Sequence, residues 1–260
     1  MIYGLTVQDI LTGVLVFLRI GAILFALPFF GDNPTPVQVR ILLAVALTLA
    51  LYPLIPQPWV AKFPDDMVGY FLLVIRELCI GISIGFIGRM AFDGILMAAS
   101  VAGYQMGFSV SDLFMPDEQV QMNAFTALHR VIMISIFLAL NLHMMYIETI
   151  IKTFQIIPAG GALPSKAFGE AMIGMSGGIL VVAMQLAAPL LVALLFSNTA
   201  LGLVARVVPQ FNVFSASFQV GFFVGMTVYI CCLPFFPSWL MQHMESSRTQ
   251  ILATIKGIAP

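Results

Sequence analysis

Six stretches of the 260-residue chain are apolar for long enough to form helices of membrane-spanning length. They run roughly over 10–30, 38–56, 67–102, 124–151, 172–205 and 213–240. Each reaches about 20 residues, the length a helix needs to cross a hydrocarbon core. Polar and proline-containing breakers separate them: Asp32-Asn33-Pro34-Thr35-Pro36, then Pro53 through Pro64, Pro158 through Pro164, and Pro209. The apolar residues do not alternate as barrel strands would, and backbone groups in lipid must pair within the protein. The pattern therefore predicts an all-α fold of apolar helical hairpins.

Two of the runs are too long for one simple span. A straight helix over 67–102 or 172–205 reaches about 50 Å at 1.5 Å per residue, against a hydrocarbon core of about 30 Å. Such helices are expected to be broken, tilted, or not conventionally inserted. Gly81, Gly85, Gly88 and Gly94 offer breaks in the first, and Gly177-Gly178 and Pro189 in the second. Charge does not orient the spans. Lys62, Lys152, Lys166, Arg248 and Lys256 fall on one side, and Arg40, Arg89 and Arg206 on the other, with Arg130 just inside a run. That balance is no positive-inside signal.

Composition agrees with the pattern. The chain is 60% hydrophobic and 9% charged, where soluble domains average about 45–50% and about 25%. Mean hydropathy is +1.03. A net charge of −1 gives no electrostatic case for binding nucleic acid or an acidic lipid surface. The three cysteines, Cys79, Cys231 and Cys232, sit inside apolar runs and read as buried free thiols rather than a disulfide. No Lys or Arg precedes Arg19, which itself lies inside the first run, so a cleavable signal peptide is not expected there.

One stretch fits neither a span nor a wet loop. Residues 103–123 read GYQMGFSVSDLFMPDEQVQMN. Met106, Phe108, Leu113, Phe114 and Met115 are too apolar for water. Pro116 and the acids Asp112, Asp117 and Glu118 prevent a continuous helix. On its residues alone this reads as a re-entrant or surface loop packed on its own helices.

Charges inside apolar runs need partners, since each costs about 2.5–3.5 kcal/mol at a helix centre. Arg19, Arg76, Glu77 and Glu148 are such residues. Arg76 and Glu77 are adjacent, so their side chains diverge by about 100° on a helix and each looks elsewhere, within this chain or to another. Arg89 and Asp93 are spaced to pair locally. Small-residue pairs four apart occur at Gly81/Gly85, Gly103/Gly107, Gly174/Gly178 and Gly221/Gly225, a mild excess over the roughly two expected by chance, compatible with close helix packing.

Enzymatic signatures are absent from the sequence. His129, His143 and His243 lack an HExxH context or cysteine partners at metal spacing, and no nucleophile elbow, phosphate-binding loop or dinucleotide fingerprint occurs. No catalytic residue, metal or cofactor is expected.

The most distinctive stretch is Asn198 to Phe214, NTALGLVARVVPQFNVF. An arginine-containing turn followed by Pro209-Gln210-x-Asn212-Val213-Phe214 between two apolar helices resembles the FliR family of flagellar biosynthetic proteins. That family includes the SctT-type export component of injectisomes. Further stretches carry the same likeness: Arg19 with Pro28-Phe29-Phe30-Gly31 and Pro36 with Arg40; Arg76-Glu77 followed by Gly81 and Gly85; Gly103-Tyr104-Gln105-Met106-Gly107-Phe108; and Asn141-x-His143. The likeness spans nearly the whole chain. It departs after Phe214, where the family often continues Gly-Phe-Pro and this chain reads Ser217-Phe218-Gln219, so a different local backbone is expected there.

The resemblance implies a subunit of the type III protein export gate of the bacterial flagellum. Its partners would be FliP-like and FliQ-like subunits in a helically arranged cone, FlhA-like and FlhB-like export components, and unfolded secreted substrates, with no nucleic acid. Residues 1–165 would form a FliP-like part and 166–260 a FliQ-like hairpin with a C-terminal tail. The location would be the inner membrane at the basal body, with the cone raised largely out of the bilayer towards the periplasm. In that setting 103–123 becomes a pore plug carried by Gln105, Met106, Gly107, Phe108, Val110, Leu113, Phe114, Met115 and Pro116. Adaptable methionines and aromatic rings would block ions by dewetting yet re-pack around a passing chain. Gly103 to Gly107 would be its flexible start. Arg19, Arg76, Glu77, Arg206, Gln210 and Asn212 would form an intersubunit or internal polar network. Two alternatives remain: a stand-alone transporter of small molecules or ions, and an assembly scaffold without pore contact.

Overall fold

The computed structural model describes residues 7–27, 36–55, 66–108, 123–161, 169, 173–174, 177–208, 210 and 212–256. Among them there is no strand; the chain is helical, as the pattern predicts. The helices are α1 (Val7–Ala26), α2 (Val37–Leu51), α3 (Met67–Gln105), α4 (Ala124–Ala139), α5 (Leu142–Ile156), α6 (Gly178–Val207), α7 (Val213–Cys232) and α8 (Phe236–Lys256). Single 3₁₀ turns follow α2 at Tyr52–Leu54 and α7 at Leu233–Phe235, each built on a proline. Among the described residues five helical stretches are long and apolar enough to cross a membrane, or six if α4 and α5 are taken as one broken span.

The two long runs resolve differently from each other. The glycine-rich first one is an unbroken 39-residue helix, α3, about 58 Å long at 1.5 Å per residue. The second is α6, 30 residues that start at Gly178, one of the two breaks expected there, and carry Pro189 inside them. A further break, which the pattern did not mark, falls in 124–151. There Leu140 ends α4, and Asn141 takes a left-handed backbone (φ 54°) before α5 begins. Asparagine is one of the few residues that tolerate that conformation. The stretch after Phe214 is regular helix within α7, begun by the Asn212 side chain accepting from the Ser215 N–H at 3.1 Å.

By contact the chain forms two compact units. One comprises Met1–Phe92, Asn141–Gly177 and His243–Pro260, the other Asp93–Leu140 and Gly178–Gln242. In the first unit, α1 buries one stripe: Thr12, Leu15, Val16, Arg19, Ile20, Ile23 and Leu24. This is the spacing of a single helical face. It lies against α2 on one side and α3 on the other. Gly81 and Gly85 set the distance to α3. A Cβ at Gly81 would lie 2.7 Å from both the Ala22 Cβ and the Arg19 carbonyl oxygen, and one at Gly85 would lie 2.5 Å from the Ala26 Cβ and 2.8 Å from the Ile23 oxygen. The α3 glycines thus act as packing surface rather than as kinks.

In the second unit, α6 packs along α7. The end of α3 reaches α7 through another glycine pair: Gly221 faces the Gln105 carbonyl, and Gly225 leaves room for the Met106 side chain. Gly174 and Gly178 have nothing within 4 Å of an added Cβ.

This packing sets an expected contrast. Gly85→Ala forces α1 and α3 apart and lowers the stability of the detergent-solubilised chain by about 1–3 kcal/mol. Gly202→Ala, with nothing within 4 Å, changes it by less than about 0.5 kcal/mol. Thermal unfolding of both variants measures the difference.

Candidate functional site

Two groups of the residues selected from the sequence come together with defined partners, one in each unit. The first is where the loop 103–123 leaves and rejoins the helices. Helix α3 ends in a double hydrogen-bonded cap. The Phe108 N–H donates to the Gly103 carbonyl at 3.0 Å and the Gly107 N–H to the Tyr104 carbonyl at 3.2 Å, with Gly107 at φ 87°. This is the Schellman arrangement, and glycine occupies its left-handed position without strain. Space also demands glycine, because a Cβ at Gly107 would lie 2.6 Å from the Phe218 ring. The stretch expected as a flexible start therefore has a defined geometry, with Gly103 inside the helix and Gly107 as its stop.

Each neighbour of the cap is fixed. Met106 is 2% exposed, its side chain filling the space above Gly225. Gln105 is exposed. Phe108 is half-buried and packs against Phe125 (centroids 5.7 Å apart) and Phe222 (5.6 Å). Asn123 marks the return. Its Oδ1 accepts from the Thr126 N–H and hydroxyl, both at 2.8 Å, which caps α4. Its amide lies over Gly103, where an added Cβ would come within 2.7 Å. The loop thus leaves and returns at one spot. Val110, Leu113, Phe114, Met115 and Pro116 lie outside the described residues.

Below the loop the aromatic packing continues. Phe125 meets Tyr229 edge-on at 4.9 Å, and His129 Nδ1 shares a 2.8 Å hydrogen bond with the Tyr229 hydroxyl. Phe236 stands edge-on to His129 at 5.5 Å. A cavity of about 20 Å³, room for roughly one water, lies among His129, Tyr229, Phe125, Phe236 and the small Ala98 and Ala102. The His129 Nε2 is buried without a partner.

The second place is a buried ion pair. Arg19 and Glu77, 58 residues apart, are both 0% exposed. Arg19 Nε donates to Glu77 Oε2 at 2.5 Å and Nη2 to Oε1 at 2.9 Å, a two-pronged contact. The remaining donors turn to the chain after α5: Nη1 to the Ile157 carbonyl at 2.7 Å and Nη2 to that of Pro158 at 3.4 Å. The guanidinium also lies over the Phe154 ring, 4.2 Å from its centroid. Glu77 accepts a further N–H, from Gly160 at 2.6 Å. Gly160 has φ 77° in the turn closed by the Gly161 N–H on the Pro158 carbonyl (2.9 Å). A positive φ at that turn position calls for glycine. The Ile157–Gly161 stretch therefore shapes a backbone that offers one N–H to the carboxylate and two carbonyls, those of Ile157 and Pro158, to the arginine.

The other network candidates lie elsewhere. Arg76, next to Glu77, is half-buried. Its Nε is closed off from solvent without an acceptor. Arg206, Gln210 and Asn212 are exposed, and Asn212 caps α7. Glu148 is exposed and meets Arg248 at 3.5 Å. Among the described residues no cluster of three His, Cys, Asp or Glu side chains could hold a metal ion.

This placement can be set beside known proteins. The family model for bacterial export proteins, family 1, matches residues 10–247. The chain belongs to that family. Among its curated relatives, the flagellar biosynthetic protein FliR of Escherichia coli K12 is 30% identical over 246 residues, covering 94% of this chain and 92% of that protein. The proteins of the same name from Caulobacter vibrioides and Bacillus subtilis are 27% and 28% identical, over 223 and 222 residues. The first covers 86% of this chain and 88% of its own length, the second 84% and 85%. The match to the bacterial export family takes in both the α3 cap and the ion pair.

Sequence reading singled out Arg19 and Glu77 without pairing them. It missed the Gly160 turn, the Phe154 platform and the His129–Tyr229 bond. The signal for the turn was the Pro158-Ala159-Gly160-Gly161 run, read only as a helix breaker.

Removing one member of the ion pair strands the other's charge. Arg19→Met and Glu77→Met are each expected to destabilise the folded chain by about 3–5 kcal/mol. The double variant is expected to lose clearly less than the sum of the two. Chemical denaturation in detergent measures all three, and additive losses would contradict the pairing.

Proposed function

We propose that the protein is a non-enzymatic subunit of the flagellar type III export gate in the bacterial inner membrane. The observation that carries this reading is the family match over residues 10–247, with relatives named flagellar biosynthetic proteins across most of their length. The same names favour the flagellum over the injectisome. FliP-like and FliQ-like subunits complete the gate, and FlhA-like and FlhB-like components receive substrate beside it. Residues 1–165 serve as the FliP-like part and 166–260 as the FliQ-like hairpin. Unfolded secreted chains pass through the centre, and Arg206, Gln210 and Asn212 dock a neighbouring subunit.

In this reading the loop 103–123 is the plug. Support comes from its ends. The Gly107 cap, buried Met106 and the Phe108–Phe125–Phe222 packing fix both roots of a loop rich in Met and Phe. A stopper needs fixed roots, because a loop that drifts cannot hold an ion barrier. A hydrophobic constriction blocks ions by dewetting without contributing any charge.

Deleting 110–116 is expected to raise ion leak through the assembled gate, measured as loss of growth or potential in cells expressing it. An unchanged leak overturns the plug. An exported chain stalled in transit is expected to crosslink to a photoreactive residue at position 108 or 114. Crosslinks absent at both positions leave the scaffold role instead.

A further inference from the structure

The neighbours Arg76 and Glu77 have unequal fates. Glu77 is satisfied within the chain by Arg19 and the Gly160 N–H. Arg76 has neither a hydrogen bond nor an ion pair among the described residues, and its Nε is shut off from solvent with no acceptor.

The surroundings say what kind of anion is missing. Along α3 the residues Val68 (67% exposed), Phe71 (62%), Leu72 (47%), Ile75 (40%), Ile82 (54%) and Phe86 (41%) recur at helical spacing as an uncovered apolar stripe. Arg76 stands beside its midpoint. About 12 Å of helix separates it from Val68 and about 15 Å from Phe86 at 1.5 Å per residue, both longer than an arginine side chain. If hydrocarbon covered the stripe, a lipid phosphate at the interface would be out of reach, and a bare guanidinium would sit at the costliest depth. A helix that is apolar along its length and carries one carboxylate at mid-height satisfies both the stripe and the charge.

We infer that the α3 stripe is an intersubunit surface on which an apolar helix of a different subunit lies, with an Asp or Glu side chain pairing with Arg76. This rests on the proposed role as a subunit of an export assembly. Internal pairing of Glu77 is what makes Arg76 available to another chain. The two residues divide the work: one closes the fold, the other selects the neighbour, and the apolar stripe supplies the area.

The test uses the full chain co-expressed with the other export subunits. Arg76→Leu and Arg76→Glu are expected to lower recovery of the complex roughly tenfold or more. The variant chains alone should keep the wild-type unfolding midpoint in detergent. Arg76→Lys is expected to restore part of the recovery, as a charge without the two-pronged fork. A second readout needs no change at Arg76. Cys79 is exposed one turn further along α3. With Cys231→Ser and Cys232→Ser in place, it should react with a membrane-permeant thiol reagent in the isolated chain and be protected in the complex. Wild-type recovery with Arg76→Leu, equal Cys79 reactivity in both states, or a fallen midpoint that accounts for the lost complex would each overturn the inference. So would a stripe crosslinked to a second copy of this chain, or phospholipid lost in place of a subunit. Failure of the wild-type chain to recover any other export subunit would instead overturn the proposed function.

Discussion

Three segments far apart in sequence are held in register by one pair of opposite charges. Arg19 on α1 and Glu77 on α3 are wholly buried, and the turn after α5 supplies the remaining donors and acceptors. Two isolated charges would be prohibitive in such an apolar interior. Together, with the Pro158–Gly161 turn wrapped around them, they are tolerated only in one arrangement. The rest of the first unit obeys that arrangement. Gly81 and Gly85 must be glycines because α1 must come close enough for the pair to form, and the α1 stripe is apolar apart from Thr12 and Arg19. Such a pair contributes less to net stability than to the exclusion of alternatives, because a shifted register would strand both charges.

Glycines recur as the second theme, with two distinct jobs. At Gly81, Gly85 and Gly225 the absent side chain makes room for a neighbour. At Gly107 and Gly160 it permits a left-handed backbone that ends a helix or turns a chain. In both cases the glycine places a polar or functional group: the carboxylate of Glu77, the N–H of Gly160, or the ring of Phe108. This is how a chain with so few charged residues positions the ones it has.

The fold class was fully legible, because apolar runs bounded by prolines leave little choice but helices. The start of α4 was also legible, since the apolar run expected from residue 124 begins where the helix does. Helix continuity was not. Glycines in 67–102 looked like breaks, yet α1 packs on Gly81 and Gly85 and α3 is one continuous helix, whereas Asn141 broke a run that composition left whole. Arg19 and Glu77 were visible as charges out of place. Their pairing was hidden because 58 residues separate them and nothing local ties one to the other. The aromatic group around His129 was invisible for the same reason: Phe125, Tyr229 and Phe236 come together only through tertiary packing. The likeness to bacterial export proteins rested on short motifs whose roles the structure partly explains, Gly103 through Phe108 as a helix cap and Asn212 as a helix start.

The loop leaves the fold at Phe108 and rejoins it at Asn123, with both ends locked into the same small patch. Its two roots meet directly, Phe108 on Phe125 and Asn123 over Gly103. The neck of the loop is therefore tied by the helix ends themselves, so whatever the chain presents there starts and finishes at one fixed point of the fold.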